Sequence, residues 1–299
     1  MEIKHIAQRD GRLSSFLKQE LELSTGLMNR LKWAQKLYVN GIPRHADWQV
    51  QTGDTILAVL DDPVPQYPAE DGEISILYED DHILCVDKPA GMLIHPSRAV
   101  NTGTLANIVL GYYRKTGQNS AFHPVTRLDR DTFGVVLLAK NAHIHSLLNQ
   151  LHSQQKMQKT YQAMVFGAPN SSEGVIDAPI ARLPLPSLLR TVSPDGKPSR
   201  TLYRVLEKQE NASLLSLQPV TGRTHQLRVH CAYQGFPILG DPQYGSRESL
   251  ALSEELGISS QALCAKKLEF PHPVTGIALE IVSNYSPNAA ITNIPKLSR

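Results

Sequence analysis

The sequence predicts an α+β protein in which a small α/β domain precedes a larger domain built around one sheet. Short apolar runs rich in β-branched residues, such as 83–86 and 135–139, are typical of buried strands. Stretches with apolar residues at helical spacing, such as 105–113 and 142–151, lie between such runs. A chain of 299 residues with 41% hydrophobic residues is long enough for one large and one small core.

The first domain, residues 1–60, is predicted to combine two helices with short strands. Apolar residues recur at helical spacing at Leu13, Phe16, Leu17 and Leu21. Ser24 or Thr25 can cap a second helix, whose apolar face runs through Leu27, Met28, Leu31, Ala34 and Leu37. A strand over 37–39 is followed by a tight turn at Asn40-Gly41, and a turn at Gly53-Asp54 precedes a strand over 55–60.

An acidic stretch separates the two domains. Between Asp61 and Asp81 the chain has eight acidic residues, three prolines and no Lys or Arg. Prolines and like charges oppose helix formation and extend a solvated connector. We therefore predict a linker over residues 61–72, with an ordinary exposed loop as the alternative.

The second domain, residues 73–299, is predicted to mix strands and helices. Strands over 74–78 and 83–86 flank a turn at Asp80-Asp81. Further strands are predicted over 135–139, 160–166, 202–206 and 214–217, the last two as antiparallel neighbours. Thr224 can cap a helix that carries Leu227, Arg228 and Cys231 and ends at Gly235.

Composition limits the function only loosely. A net charge of +2 and a pI near 8.4 do not by themselves indicate a nucleic-acid-binding protein. Any positive surface that binds nucleic acid must therefore be a local patch. The three cysteines are far apart, without a C-x-x-C pair, and are typical of a reducing compartment. With no apolar signal segment and no membrane-length apolar run, we expect a cytoplasmic protein. The spacing of the histidines predicts no metal site.

The run from Thr126 to Gly134, TRLDRDTFG, is the most informative segment for chemistry. It places Asp129 between two arginines at the entrance to the predicted buried strand 135–139. A neighbouring arginine favours the ionised carboxylate, which is available as a nucleophile or base near neutral pH. A salt-bridge cluster in a surface loop is the alternative interpretation of this segment alone.

Four motifs together resemble those of the RluA-type pseudouridine synthases. They are TRLDRDTFG at 126–134, KTYQAMVFG at 159–167, TGRTHQLRVH at 221–230, and ILCVDKPAG at 83–91 followed by His95-Pro96. Their order matches that of the family, and they lie within roughly residues 73–245. The 221–230 motif is long enough to be nearly diagnostic alone.

The resemblance implies a long mixed, mostly antiparallel sheet with a central cleft, and isomerisation of uridine to pseudouridine in RNA without metal or cofactor. It assigns catalytic roles to Asp129 as nucleophile, Tyr161 beside the uracil and Arg228 as partner of the aspartate. Arg127 matches the residue that fills the gap left by a flipped-out uridine. RNA contacts are further implied for Arg130, Arg223 and His225.

The N-terminal domain resembles an S4 RNA-binding domain, with R-L-x-x-F-L from Arg12, V-N-G at 39–41 and G-D-x-I at 53–56. This implies phosphate contacts for Arg30, Lys32 and Lys36, which position RNA without reading its sequence. A solvated helix face is the alternative for these charges. Ribosomal RNA is the expected substrate, with transfer RNA as the other candidate, and the protein is expected to be a monomer.

Two residues of the 126–134 segment depart from the family pattern, which usually has His at the position of Thr126 and Ser at that of Phe133. Two rival functions are considered. One is a non-catalytic RNA-binding or ribosome-assembly protein on the same scaffold. The other is a glycosidase acting on free nucleosides, for which Asp131 is the only nearby candidate second carboxylate. The sequence does not specify which uridine is modified.

Overall fold

The structure is a computed structural model that describes residues 2–60, 67–97 and 99–287. Across these ranges, the helices are all too short or too polar to cross a bilayer.

The N-terminal domain folds around four short antiparallel strands and two helices. Its elements are β1 (Glu2–Ile6), β2 (Gly11–Arg12), α1 (Leu13–Gln19), α2 (Thr25–Trp33), β3 (Leu37–Val39), β4 (Ile42–Pro43), β5 (Gln49–Val50) and β6 (Thr55–Val59). The sheet order is β1-β6-β3-β4, and β2 pairs with β5. Strand β1 was not predicted from the sequence.

The predicted helix start and hairpin turn are both confirmed. The Ser24 side chain accepts a hydrogen bond from the backbone N–H of Leu27 and caps α2. Asn40 and Gly41 have φ of 52° and 77°, the left-handed pair that a two-residue hairpin requires. The domain has its own core, in which Leu13, Phe16 and Ile56 are fully buried.

The second domain contains one ten-stranded sheet with helices against both faces. Its elements are β7 (Ile76–Glu79), β8 (Ile83–Lys88), α3 (Leu105–Lys115), β9 (His123–Pro124), β10 (Phe133–Ala139), α4 (Ala142–Ser153), β11 (Gln158–Phe166), β12 (Glu173–Asp177), β13 (Ile180–Arg182), β14 (Arg190–Val192), β15 (Arg200–Lys208), β16 (Ala212–Pro219), α5 (Gln226–Tyr233), α6 (Arg247–Glu255), β17 (Leu263–Pro271) and β18 (Ala278–Val282).

The main path of the sheet is β12-β15-β16-β11-β17-β10-β8-β7, with β18 on β17 and β9 on β10. Strand β17 runs parallel to β10 and antiparallel to β11, and the remaining described pairs of this sheet are antiparallel. The predicted mixed, mostly antiparallel sheet is therefore confirmed, as is the antiparallel β15–β16 pair.

Strands β8 and β10 are buried on both faces, which explains their unbroken apolar runs. On one face, Leu84, Val86 and Val136 belong to the cluster that packs against α3. On the other face, Cys85 and Leu137 belong to the cluster that contains α4. The loop before β10 is consequently attached to the most deeply buried part of the molecule.

Half of the predicted linker packs against the large domain. The Glu70 backbone N–H donates to the Asn107 carbonyl in α3, and the Glu70 carboxylate accepts from the Gly103 N–H. A Cβ on Gly111 would meet the Glu70 carbonyl oxygen, so only glycine allows this close approach. Residues 61–66 of the predicted linker lie outside the described residues. We therefore propose that the domain boundary lies before Tyr67, and not at residue 73.

Candidate active site

The segment that carries Asp129 is anchored at both ends by buried threonines. Thr126 Oγ1 accepts a hydrogen bond from the Leu137 N–H of β10 at 2.9 Å. Thr132 is held by the side-chain amide of Gln261, just before β17. The chain between them therefore projects from the sheet at a fixed point, with the Asp129 side chain one-third exposed.

A fully buried lysine fastens this segment to the 83–91 motif. Lys88 Nζ donates to the carbonyl oxygens of Pro89, Met92 and Arg130 at 2.8–2.9 Å, which uses all three ammonium donors. Burial lowers the pKa of Lys88 to about 8, although the charges of Asp131 and Asp129 act in the opposite direction. Lys88 thus holds the backbone immediately after Asp129.

Arg228 joins Asp129 to a second, fully buried carboxylate. Its Nε and Nη2 donate to the two carboxylate oxygens of Asp241 at 2.7 and 2.8 Å, and Nη2 also donates to Gln243. Its Nη1 donates to Asp129 Oδ2 at 3.1 Å. A bidentate arginine–carboxylate pair fixes the plane of the guanidinium, so the remaining nitrogen has a defined direction. Asp129 Oδ1 accepts no hydrogen bond from the residues that the structure describes.

His225 also faces Asp129. It precedes α5 in the left-handed conformation, at φ 58°, and its Nε2 lies 3.9 Å from Asp129 Oδ2. The predicted helix cap at Thr224 is wrong by one residue. The side-chain oxygen of Gln226 accepts from the Thr221 hydroxyl and from the Arg223 N–H, and this closes the turn so that the helix begins after His225.

Tyr161 lies on β11, which pairs with β17, and β17 in turn pairs with β10, the strand that follows the Asp129 segment. Its side chain is half-buried in a small pocket lined also by Thr126, Val135 and Ala265. Burial raises the pKa of Tyr161 above its ordinary value, and the negative charge of Asp129 raises it further. Tyr161 is therefore a neutral phenol at physiological pH in this structure.

The cations expected to contact RNA are distributed over two regions. Arg127 and Arg223 are exposed, and Arg130 is exposed with its Nε 3.2 Å from Asp131. Asp131, the second carboxylate of the glycosidase alternative, is thus paired with Arg130. The expected phosphate-binding cations of the N-terminal domain lie on or just after α2, namely Arg30, Lys32 and Lys36.

Sequence reasoning missed three residues that organise this site: Lys88, Asp241 and Tyr244. Lys88 lies in a recognised motif, but nothing in its neighbours indicates burial. Gly240-Asp241 follows the apolar run 236–239, and this was the available signal for a carboxylate at a core element. In the described part of the chain, no group of His, Cys, Asp and Glu side chains is arranged to hold a metal ion.

Comparison with known proteins places this site in a family. Residues 82–233 match the family described as RNA pseudouridylate synthase. The uncharacterized RNA pseudouridine synthase YlyB of Bacillus subtilis is 39% identical over 82% of this chain and 80% of its own. The ribosomal large subunit pseudouridine synthase C of Vibrio cholerae is 33% identical over 90% of this chain and 88% of its own. The structure titled human RNA Pseudouridylate Synthase Domain Containing 1 is 25% identical, covers 74% of this chain and 86% of its own, and aligns with a TM-score of 0.60.

The fold and the matched residues thus define an RNA-modifying isomerase. The chain belongs to the RNA pseudouridylate synthase family and converts uridine in RNA to pseudouridine.

Proposed function

We propose that Asp129 is the nucleophile of this reaction and that Arg228 holds it in the reactive orientation. The observation that carries the proposal is the arrangement of the two carboxylate oxygens. Oδ2 is bound by the buried Arg228, whereas Oδ1 accepts no hydrogen bond from the described residues, and the Asp129 side chain is one-third exposed. A carboxylate held by one oxygen is pre-organised to attack with the other.

In the scheme that we propose, Oδ1 attacks C1′ of the uridine and the N-glycosidic bond breaks, so uracil leaves with the bonding electrons. The uracil turns, its C5 attacks C1′, and the bond to Asp129 breaks to return the carboxylate. A base then removes the C5 proton while N1 takes up a proton. Positive charge that develops at the sugar is stabilised by the same carboxylate.

Tyr161 is proposed to contact the uracil ring. Removal of the C5 proton by Tyr161 requires a pKa below the raised value of the RNA-free enzyme, so RNA binding would have to lower it. A stacked uridine cannot reach Asp129, and the exposed Arg127, two residues away, is placed to fill the gap left by a flipped-out base. Arg130, Arg223 and His225 complete the RNA-facing rim.

We propose large-subunit ribosomal RNA as the substrate, because the relatives from two Vibrio species are named for it. The reaction then takes place in the cytoplasm, where ribosomal RNA is modified. In the S4-like N-terminal domain, the exposed Arg30 and Lys32 of α2 neutralise phosphates. Trp33, whose side chain is 86% exposed beside them, offers a ring face for an unpaired base.

The test is the substitution Asp129→Asn, which keeps shape but cannot form the bond to C1′. We expect an unchanged unfolding transition and no pseudouridine, measured as carbodiimide-dependent primer-extension stops. Asp131→Asn is the matched control, because it changes the neighbouring carboxylate that pairs with Arg130. Residual turnover of Asp129→Asn within tenfold of the unmodified protein would rule out this aspartate as nucleophile.

A further inference from the structure

The hydroxyl of Tyr244 connects two parts of the active site that the reaction scheme does not use. It accepts a hydrogen bond from the backbone N–H of Arg190, at the start of β14, at 2.9 Å. It also lies 2.7 Å from Nδ1 of His225. The tyrosine ring is edge-on to the His225 ring, with centroids 5.6 Å apart, and its face is 4.9 Å from the Arg228 guanidinium carbon.

The hydrogen bonds at this hydroxyl favour one tautomer of His225. A phenol oxygen carries one proton and two lone pairs, and a backbone N–H can only donate. The Arg190 N–H therefore occupies a lone pair. Among the described residues, the hydroxyl proton has no acceptor except Nδ1 of His225. An Nδ1–H could instead donate to the second lone pair, but the hydroxyl proton would then have no acceptor among these residues. The favoured arrangement therefore has Nδ1 as the acceptor and the proton of the neutral imidazole on Nε2.

The other side of the imidazole leads to the same assignment independently. Nε2 lies 3.9 Å from Asp129 Oδ2, so an Nε2–H directs its positive end at a carboxylate. The other tautomer would direct a lone pair at the same carboxylate, which is repulsive. A distance of 3.9 Å is too long for a hydrogen bond, and catalytic hydrogen bonds that are long without substrate often tighten when substrate binds.

The main chain leaves the imidazole little freedom. His225 is held in the left-handed conformation between the Gln226-closed turn and α5. Burial lowers the pKa of His225, and the charges of Arg228 and Arg190 act in the same direction, against those of Asp129 and Asp241. The ring is therefore neutral near pH 8, and the remaining question is which of its two nitrogens carries the proton.

We propose that Tyr244 is a positioning residue for the reaction. Its hydroxyl holds His225 as the Nε2–H tautomer, and this donor, together with Arg228, keeps Asp129 Oδ2 turned away from the substrate so that Oδ1 attacks. The same hydroxyl also accepts the hydrogen bond from the Arg190 N–H, and in this way it connects the His225 ring to β14. The proposal rests on the proposed role of Asp129 as nucleophile.

The direct test is nitrogen NMR of histidine-labelled protein without RNA at pH 8, where the chemical shifts of Nδ1 and Nε2 report the tautomer. We expect His225 to have a protonated Nε2 and an unprotonated Nδ1. In Tyr244→Phe, which keeps the ring but lacks the hydroxyl, we expect part of the population to shift to the other tautomer. Tyr233→Phe removes the hydroxyl of an exposed tyrosine at the far end of α5 and is the matched control.

The kinetic test is a double-mutant cycle between Tyr244 and His225. One neutral hydrogen bond corresponds to a three- to tenfold change in rate, so we expect Tyr244→Phe to slow single-turnover isomerisation by about that factor, with RNA affinity unchanged. Glutamine has a fixed N–H donor and no tautomers. In a His225→Gln background, Tyr244→Phe is therefore expected to change the rate less than twofold.

Three results would overturn the proposal. One is an Nδ1–H tautomer of His225 in the unmodified protein, a measurement that does not depend on any variant folding. Another is an unchanged rate in Tyr244→Phe, and the third is an equal loss of rate in the His225→Gln background. Because the tautomer is measured without RNA, its result is separate from the Asp129→Asn test of the proposed function.

Discussion

Arg228 is shared between two carboxylates of unequal exposure, and this inequality determines its role. Asp241 is fully buried and binds two of its nitrogens, whereas Asp129 is one-third exposed and binds one. Asp241 therefore fixes the guanidinium, and the guanidinium fixes Asp129. Burial lowers the pKa of Arg228, but its bonds to Asp241 outweigh this and the net shift is upward, so the arginine stays charged.

Removing Arg228 should cost both stability and activity. In Arg228→Ala the fully buried Asp241 loses its charge partner, which typically costs about 3–5 kcal/mol. In Arg228→Met combined with Asp241→Leu, no buried charge is left unpaired, so we expect most of that stability to return while isomerisation stays absent. Urea unfolding and single-turnover rates on the same preparations measure the two effects. A double variant as unstable as Arg228→Ala would contradict this account, as would an active one.

The sequence predicted the candidate site residues Asp129 and Arg228, but not the residues that hold them in place. Asp129 and Arg228 lie in long motifs, and the structure brings them together across 99 residues. Asp241, Tyr244 and Lys88 act through contacts with residues distant in sequence, which leave no periodic signal. Buried polar residues of this kind are recognised only when their partners are known in space.

At the scale of elements, the register of β10 on β17 sets the position of the Asp129 segment. Gly134 pairs with Ala265 in parallel, at φ 110°, where side chains are rarely accommodated. A Cβ at this position would lie 2.4 Å from the Ala265 carbonyl oxygen. Glycine is thus required five residues after Asp129 for the two strands to meet.

We expect Gly134→Ala to destabilise the protein by about 2 kcal/mol or more and to lower the isomerisation rate, since β10 must move away from β17. Gly222→Ala is the control, because its Cβ would meet no atom within 4 Å and its φ is not in the left-handed region. Its unfolding free energy should change by less than about 0.5 kcal/mol. If both variants lost the same free energy of unfolding in denaturant titrations, crowding against Ala265 would not be the cause of the destabilisation in Gly134→Ala.

Several long buried elements were predictable, whereas the central strand β17, helix α6 and most of the short strands were not predicted. Strands β8 and β10 and helices α3 and α4 were predicted because strong apolar periodicity coincides with burial. Strand β1 was missed because its residues alternate only weakly between exposed and half-buried. The start of α5 was misplaced because a glutamine side chain, and not a threonine cap, closes the preceding turn.

At the scale of the whole molecule, the proposed boundary before Tyr67 can be tested with two fragments. Residues 67–299 keep Tyr67, Ala69 and Glu70, which pack on or bond to the α3 region. Residues 73–299 lack them. We expect the longer fragment to unfold cooperatively at higher urea and to isomerise a uridine in a small RNA loop. Equal stability of the two fragments would place the boundary at residue 73 instead.

The longer fragment should also bind large structured RNA with a weaker dependence on salt than the full chain. Removing one phosphate-binding cation lowers the slope of log affinity against log salt by about one unit, treating structured RNA like duplex DNA. The full chain with Arg30→Ala and Lys32→Ala is the control, because it removes only exposed charges of α2. An unchanged slope in both proteins would reject RNA binding by the N-terminal domain.

The place of β17 in the sheet has a consequence for the time at which the enzyme becomes active. The segment with Asp129 precedes β10, and Tyr161 lies on β11; in the described sheet, these two strands have β17 as their common neighbour. Strand β17 comprises Leu263–Pro271, so the ribosome synthesises it well after both β10 and β11. Domains fold from the N-terminus as they emerge, but contacts this distant in sequence form late. A nascent chain synthesised only to residue 260 therefore lacks the strand that joins β10 to β11, and we expect it not to modify RNA until β17 has been added.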